Sequence, residues 1–363
     1  MKSILPFIVL ATSVIFSSCV LDKENPVSSS NDAASLVTIA VGTYPSISPD
    51  GRKLAFSRSG AIFISDTNGH NAIQLTSGTF DDIMPQWSPN GQRVGFIRKK
   101  NNQQGNGTLM IVDSATKIAQ SISTTDSVNC QLESVQAPYA NSGSNPYASA
   151  PFWSWSPDGS KIAFYSGNDS LTTLSIVKSD GSGNASGKFT LYNHHQFDYS
   201  GNCSGFCWLP FGDQIICASN SYNDTSCLYA ITIGIDTMIR MSDKKGVTNP
   251  TCSSDGRIVG YKSNDYPGYQ LIDLQTDFVS TLYYAWYSPK LSPDGKKVVS
   301  YSYSYSGNPA EAAGSQLNCT DVSTGLSSFL VQSDWDYNFV FHPSSKWVFF
   351  TRGGEIFRVD LGN

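Results

Sequence analysis

A five-residue phrase that returns seven times constrains this chain more than any other feature. The copies are Ile-Ser-Pro-Asp-Gly (47–51), Trp-Ser-Pro-Asn-Gly (87–91), Trp-Ser-Pro-Asp-Gly (155–159), Trp-Leu-Pro-Phe-Gly (208–212), Cys-Ser-Ser-Asp-Gly (252–256), Leu-Ser-Pro-Asp-Gly (291–295) and Phe-His-Pro-Ser-Ser (341–345); the fourth and seventh are degenerate. Proline presets φ near −65° at the second turn position, aspartate bonds its own backbone, and glycine accepts the positive φ that closes the turn, so the phrase joins two antiparallel strands. The residue before it is apolar in every copy, and three and five residues after the turn glycine stand mostly apolar pairs such as Leu54/Phe56, Val94/Phe96 and Ile162/Phe164. Alternation with period two marks strands with one packed face. A third strand follows in each unit, as at 61–65, 108–113 and 269–273, and a short turn leads to a fourth, as at 72–76 or 278–282. Four antiparallel strands per unit make a propeller blade. The expected fold is therefore all-β, a seven-bladed β-propeller over residues 35–363, with a six-bladed ring carrying one divergent hairpin as the alternative.

Counted from turn glycine to turn glycine, with Ser345 in the seventh place, the spacings are 40, 68, 53, 44, 39 and 50 residues. The shortest match the propeller period of about 40 to 45 residues. Phrase and period resemble the WD-like repeats of the TolB family, which also form the propellers of prolyl oligopeptidases and some carbohydrate lyases. The resemblance covers roughly residues 35 to 361. It implies a non-catalytic, envelope-located binding scaffold; the separate N-terminal α/β domain of that family has no counterpart in these residues, so a role in the Tol–Pal system does not carry over. A lyase-like enzyme acting on polysaccharide at the axial channel is the alternative.

The seventh unit stops after its third strand, at Leu361-Gly362-Asn363, while residues 35–41 form a strand that no unit claims. Aligned with the second unit, these residues fall at the place of an outermost strand. The N-terminal strand is thus expected to complete the last blade and remove an exposed seam.

Residues 1–19 have the pattern of an export signal: Lys2 supplies a positive start, 4–16 is an apolar run too short to span a bilayer, and small residues precede Cys19. Phe-Ser-Ser-Cys resembles the bacterial lipobox, although phenylalanine departs from the usual Leu, Val or Ile at its first position; an ordinary secretory signal is the other reading. The lipobox resemblance implies acylation of Cys19 and a membrane anchor. Val20 stands where inner-membrane lipoproteins often carry Asp, so the resemblance favours the outer membrane. Asp22-Lys23-Glu24 looks like a surface-export signal. Residues 20–34 are polar and small, as suits a tether.

The formal charge is −5 and no Lys/Arg stripe is present, so the chain lacks the electrostatic footprint of a nucleic-acid binder. Apart from Cys19, seven cysteines remain, an odd number. Cys217 and Cys227 fall on neighbouring strands of one hairpin and are candidates to pair; Cys203-x-x-x-Cys207 has no second metal-type pair, so no metal site is expected. There is no Gly-x-Ser-x-Gly, the four histidines (His70, His194, His195, His342) are scattered, and Asp81/Asp82 and Asp334/Asp336 have no Ca²⁺-loop spacing. No catalytic residue and no cofactor are therefore assigned.

If strands A to D of each blade run antiparallel, the A–B and C–D turns share one face, and the B–C and blade-to-blade connections share the other. The residues in excess of a minimal blade, 99–107, 123–150, 193–205 and 303–314, all fall on the second face. They are rich in aromatic and amide side chains, which offer flat apolar area and hydrogen bonds at low entropic cost. Tyr139, Tyr147, Tyr192, His194, His195, Tyr199, Tyr303, Tyr305 and Trp335 are the candidate binding residues, for an envelope protein or a glycan. Trp87, Trp155 and Trp208, which precede turns, read as packing between blades.

Overall fold

The structure, a computed structural model, describes residues 36–100, 107–122, 153–168, 171–182, 185–192, 205–219, 227–235, 237–242, 244, 246–263, 266–283, 287–304, 314–333 and 338–362. Residues Asp32–Asn363 form one compact unit. Strand β1 (Val37–Val41) comes first in the chain. Blade one is β2 (Thr43–Ile47), β3 (Lys53–Arg58), β4 (Ala61–Asp66) and β5 (Ile73–Gln74); blade two is β6 (Phe80–Trp87), β7 (Arg93–Lys100), β8 (Thr108–Asp113) and β9 (Ala119–Ser121). Blade three is β10 (Trp153–Trp155), β11 (Lys161–Asn168), β12 (Leu171–Lys178) and β13 (Ala185–Tyr192); blade four is β14 (Phe206–Trp208), β15 (Gln214–Ser219), β16 (Cys227–Thr232) and β17 (Thr237–Arg240). Blade five is β18 (Thr248–Cys252), β19 (Ile258–Ser263), β20 (Tyr266–Asp273) and β21 (Phe278–Leu282); blade six is β22 (Tyr287–Leu291), β23 (Lys297–Ser304), β24 (Gly314–Asp321) and β25 (Ser327–Ser333). Blade seven takes β26 (Phe339–Phe341), β27 (Trp347–Arg352) and β28 (Glu355–Asp360) from the end of the chain, and β1 pairs antiparallel with β28 as its fourth strand. The ring has seven blades, and the N-terminal strand completes the last one, as the sequence predicts.

The repeated phrase works through its serine as much as through its proline. In the first copy the buried Ser48 hydroxyl donates to Asp50 Oδ1 (2.5 Å) and accepts from the Lys53 amide (2.9 Å), while Asp50 Oδ1 accepts from the Arg52 amide (3.1 Å). The same three bonds recur around Ser88, Ser156, Ser253 and Ser292. The serine hydroxyl and then a backbone N–H hold the Asp50 and Asp255 carboxyls below the ordinary carboxylate range. The turn glycines keep φ between 68° and 72°, and at the seventh turn Ser345 takes the same left-handed conformation with φ 58°.

The degenerate copies substitute other contacts. Leu209 replaces the fourth serine and joins the core between blades four and five. In the seventh copy His342 Nδ1 accepts from the Ser344 amide (3.2 Å), which leaves Nε2–H to donate to the Gly51 carbonyl (2.9 Å). The last turn is thereby tied to the first, across the gap where the two ends of the chain meet.

Burial follows the ring. Seven apolar clusters are present among the described residues, one in each gap between neighbouring blades. Trp87 packs with Ala55, Ile62 and Ile64 of blade one, Trp155 with Ile97, Leu109 and Ile111 of blade two, and Trp208 with Leu174, Ile176 and Phe189 of blade three. The pre-turn tryptophans thus pack between blades, as their place in the repeat predicts, and each does so in the gap to the preceding blade.

Candidate functional site

On one face of the ring every connection is a short turn, from 48–52 at the first A–B turn to 342–346 at the seventh. The long connections at 101–107, 122–152, 193–205 and 305–313 all join strand ends on the opposite face. A further one, 220–226 between β15 and β16, joins them there; the sequence reading passed over it because the spacing around the fourth phrase is near the minimal period. Of the candidate binding residues, Tyr192 ends β13 and Tyr303 stands one residue before the end of β23, so the backbone places both at this insertion face. Tyr139, Tyr147, His194, His195, Tyr199, Tyr305 and Trp335 lie outside the described residues, as does Cys19.

Below the insertions runs a rim that the sequence reading missed. Arg58, Arg98 and Arg352 each stand seven residues after the last residue of their phrase, at or near the end of the second strand in blades one, two and seven. Each guanidinium lies over a phenylalanine ring: Arg58 at 3.8 Å from the Phe63 centroid, Arg98 at 5.1 Å from Phe80 and Arg352 at 4.5 Å from Phe357. Arg98 also grips the buried Asp82 with two hydrogen bonds of 2.7 and 2.8 Å. Asp82, which has no Ca²⁺-loop spacing, is the buried half of an ion pair with the partly exposed Arg98. Asp334 and Asp336 lie outside the described residues.

The inner strands carry a second repeated position. In blades one, two, four and six the residue one before the pre-turn apolar residue reaches across the gap to the next blade. Ser46 Oγ accepts from the Trp87 amide (3.2 Å); Gln86 Nε2 donates to the Trp153 carbonyl (2.8 Å), and Trp155 Nε1 donates to the Gln86 carbonyl (3.3 Å). Cys207 occupies this position in blade four and forms a disulfide with Cys252, the pre-turn residue of blade five. The expectation that Cys217 pairs with Cys227 is therefore wrong. The register sets Cys217 opposite Tyr229 and Cys227 opposite Ser219, so the two are diagonal neighbours, too far apart for a bridge. Cys217, Cys227 and Cys319 are buried thiols.

In blade six the same position holds Lys290. Its half-buried ammonium donates to the Phe339 carbonyl (2.7 Å) and lies 4.6 Å from the Phe339 ring centroid. Burial pushes its pKa down to about 8. Because the folded pKa lies below the unfolded one, the unfolded chain binds more protons between about pH 8 and 10.4, and this group's contribution to stability rises with pH across that window. Lys290→Met is expected to stabilise the protein at pH 7 by about 1–2 kcal/mol, net of the lost hydrogen bond, with the advantage fading by pH 10. Urea denaturation of both proteins at pH 7 and 10 checks this; an equal difference at both pH values refutes it.

No family model and no curated protein matches the chain. Solved structures do. An oligogalacturonate lyase from Vibrio parahaemolyticus aligns with a TM-score of 0.63 at 14% identity over 92% of this chain and 95% of that one. An oligogalacturonate lyase in complex with manganese aligns at 0.60 and 16% identity, covering 91% of each. TolB from Acinetobacter baumannii aligns at 0.47 and 16% identity over 85% of this chain, which spans 63% of TolB's length. At these identities the likeness to the two lyases is one of fold alone.

Proposed function

We propose that this chain is an exported, lipid-anchored propeller whose insertion face binds an envelope protein or a glycan without performing chemistry on it. The observation that carries this reading is the segregation of the long, aromatic- and amide-rich connections to one face of a ring whose other face is closed by short turns. The interblade disulfide supports export, since such bridges persist outside the reducing cytosol. The lipobox-like Phe-Ser-Ser-Cys supports anchoring through Cys19, and Val20 supports the outer membrane as its destination.

The test is capture from envelope extract together with a glycan array, using the acylated full chain in detergent. Tyr139→Ala, Tyr147→Ala and Tyr199→Ala combined are expected to weaken binding at least tenfold with the melting temperature unchanged. No binding to either source overturns the reading. Cleavage of oligogalacturonate in the presence of manganese would favour the enzymatic alternative. Cys19→Ala is expected to move the protein from the membrane to the soluble envelope fraction.

A further inference from the structure

The five most exposed large apolar side chains among the described residues are Phe211 (87%), Ile118 (69%), Ile235 (68%), Leu326 (68%) and Phe278 (67%). All five stand on the turn face. Ile118, Phe278 and Leu326 occupy one equivalent place in blades two, five and six, five residues after the aspartate that ends the third strand: Asp113, Asp273 and Asp321. There the aspartate knits the turn. Asp113 Oδ1 accepts from the Ala115 and Thr116 amides, Asp321 Oδ1 from the Ser323 and Thr324 amides, and Asp273 Oδ1 from the Gln275 amide. Ile235 sits in the corresponding turn of blade four, and Phe211 takes the aspartate's place in that blade's degenerate phrase. Side chains held out on bonded turns gain nothing from the propeller's own core. One such side chain alone is ordinary, but the five most exposed all fall on one face, which is what a face held against an apolar phase would show.

The direction of β1 says what covers them. Val41 pairs with Glu355, just after the β27–β28 connection on the insertion face, and Val37 pairs with Arg358, toward the other end of β28. The chain therefore enters β1 from the turn face. Residues 20–34 are all that separate Cys19 from the propeller, a reach of at most about 50 Å when fully extended. Given the lipid-anchor reading, on which this step rests, the chain that leads back to the anchor leaves the ring from the face that carries the apolar tips.

The geometry points to a bilayer surface as the occupant of the turn face: the anchored propeller lies with Phe211, Phe278, Leu326 and their neighbours in the headgroup region, and presents its insertions away from the membrane. Apolar side chains and a lipid anchor add their membrane affinities, because the anchor makes the second contact intramolecular.

Hydrogen exchange of the acylated full chain, free in detergent and on vesicles of phosphatidylethanolamine and phosphatidylglycerol, tests this. Exchange at 209–212, 233–237, 274–278 and 322–326 is expected to slow at least fivefold on vesicles, with residues at the insertion face unchanged. The triple variant Phe211→Ser, Phe278→Ser, Leu326→Ser changes exposed side chains only; it is expected to float with vesicles and to lose that protection. A wild-type chain that floats but shows no difference between the faces overturns the docking and leaves the anchor standing. A chain that does not float overturns both. Protection that needs envelope extract as well as lipid assigns the face to a protein and overturns the proposal.

Discussion

Reduction of the Cys207–Cys252 bridge is expected to lower the unfolding free energy by about 3–4 kcal/mol, among the largest losses available from a single bond in this chain. The bridge spans 45 residues of sequence, and a cross-link of that span removes about 4 kcal/mol of unfolded-chain entropy in the loop-closure account. It joins the inner strands of blades four and five, where Cys207 and Cys252 also pack against the apolar cluster of that gap. Urea denaturation with and without reductant measures the loss. Cys207→Ser in the oxidised protein should reproduce it, and Cys217→Ser should not reproduce its dependence on reductant. A shift below about 1 kcal/mol on reduction would overturn this expectation.

That pairing also shows where sequence reading stops. Strand, turn and ring closure are written in local signals: a phrase that makes a hairpin, a period of two on either side of it, and a spare strand matching a missing one. The disulfide depends on something the repeat does not state, namely which side of an inner strand faces the next blade. Once the structure shows Ser46 bonded to Trp87 and Gln86 to Trp155, the rule is plain, and it sets Cys207 against Cys252. In four other blades a proline at 45, 85, 250 or 289 stands just before this position and the register shifts beside it, because proline donates no ladder bond; blade four has Phe206 there and an unbroken register, so no such signal marks Cys207. The rim arginines escaped for another reason. Arg58, Arg98 and Arg352 share a place in the repeat, but a charged residue at a strand end reads as solvated until the ring beneath it is seen. The contents of the insertion face were legible only as composition, since long connections obey no period.

Deleting residues 36–41 from the otherwise full chain, so that the tether runs straight into Gly42, is expected to cost about 3–5 kcal/mol. Ile39 lies in the apolar cluster between blades seven and one, with Leu54, Phe56, Phe349 and Ile356, and losing such a side chain costs about 2–5 kcal/mol. The strand's ladder to β28 adds about 1 kcal/mol for each hydrogen bond lost, and the ordering entropy of the removed residues offsets part of the sum. The effect exceeds that of trimming an edge, because β1 is where the beginning of the chain holds its end. Gly42, the single residue between β1 and β2, has φ 151°, and a Cβ there would meet the Phe56 ring at 2.6 Å and the Ser57 carbonyl at 2.7 Å; the link between blades seven and one is thus drawn tight against blade one. Without β1, β28 presents an unpaired edge, so oligomers should accompany the lower melting temperature. Deleting residues 20–34 instead removes none of these contacts and should leave stability unchanged. A synthetic peptide spanning 35–42, added in excess to the shortened chain, should restore part of the lost stability by refilling the edge. Equal melting temperatures for the full chain and the 36–41 deletion would mean that blade seven holds with three strands, and that closure of the ring rests on His342 and the apolar gap alone.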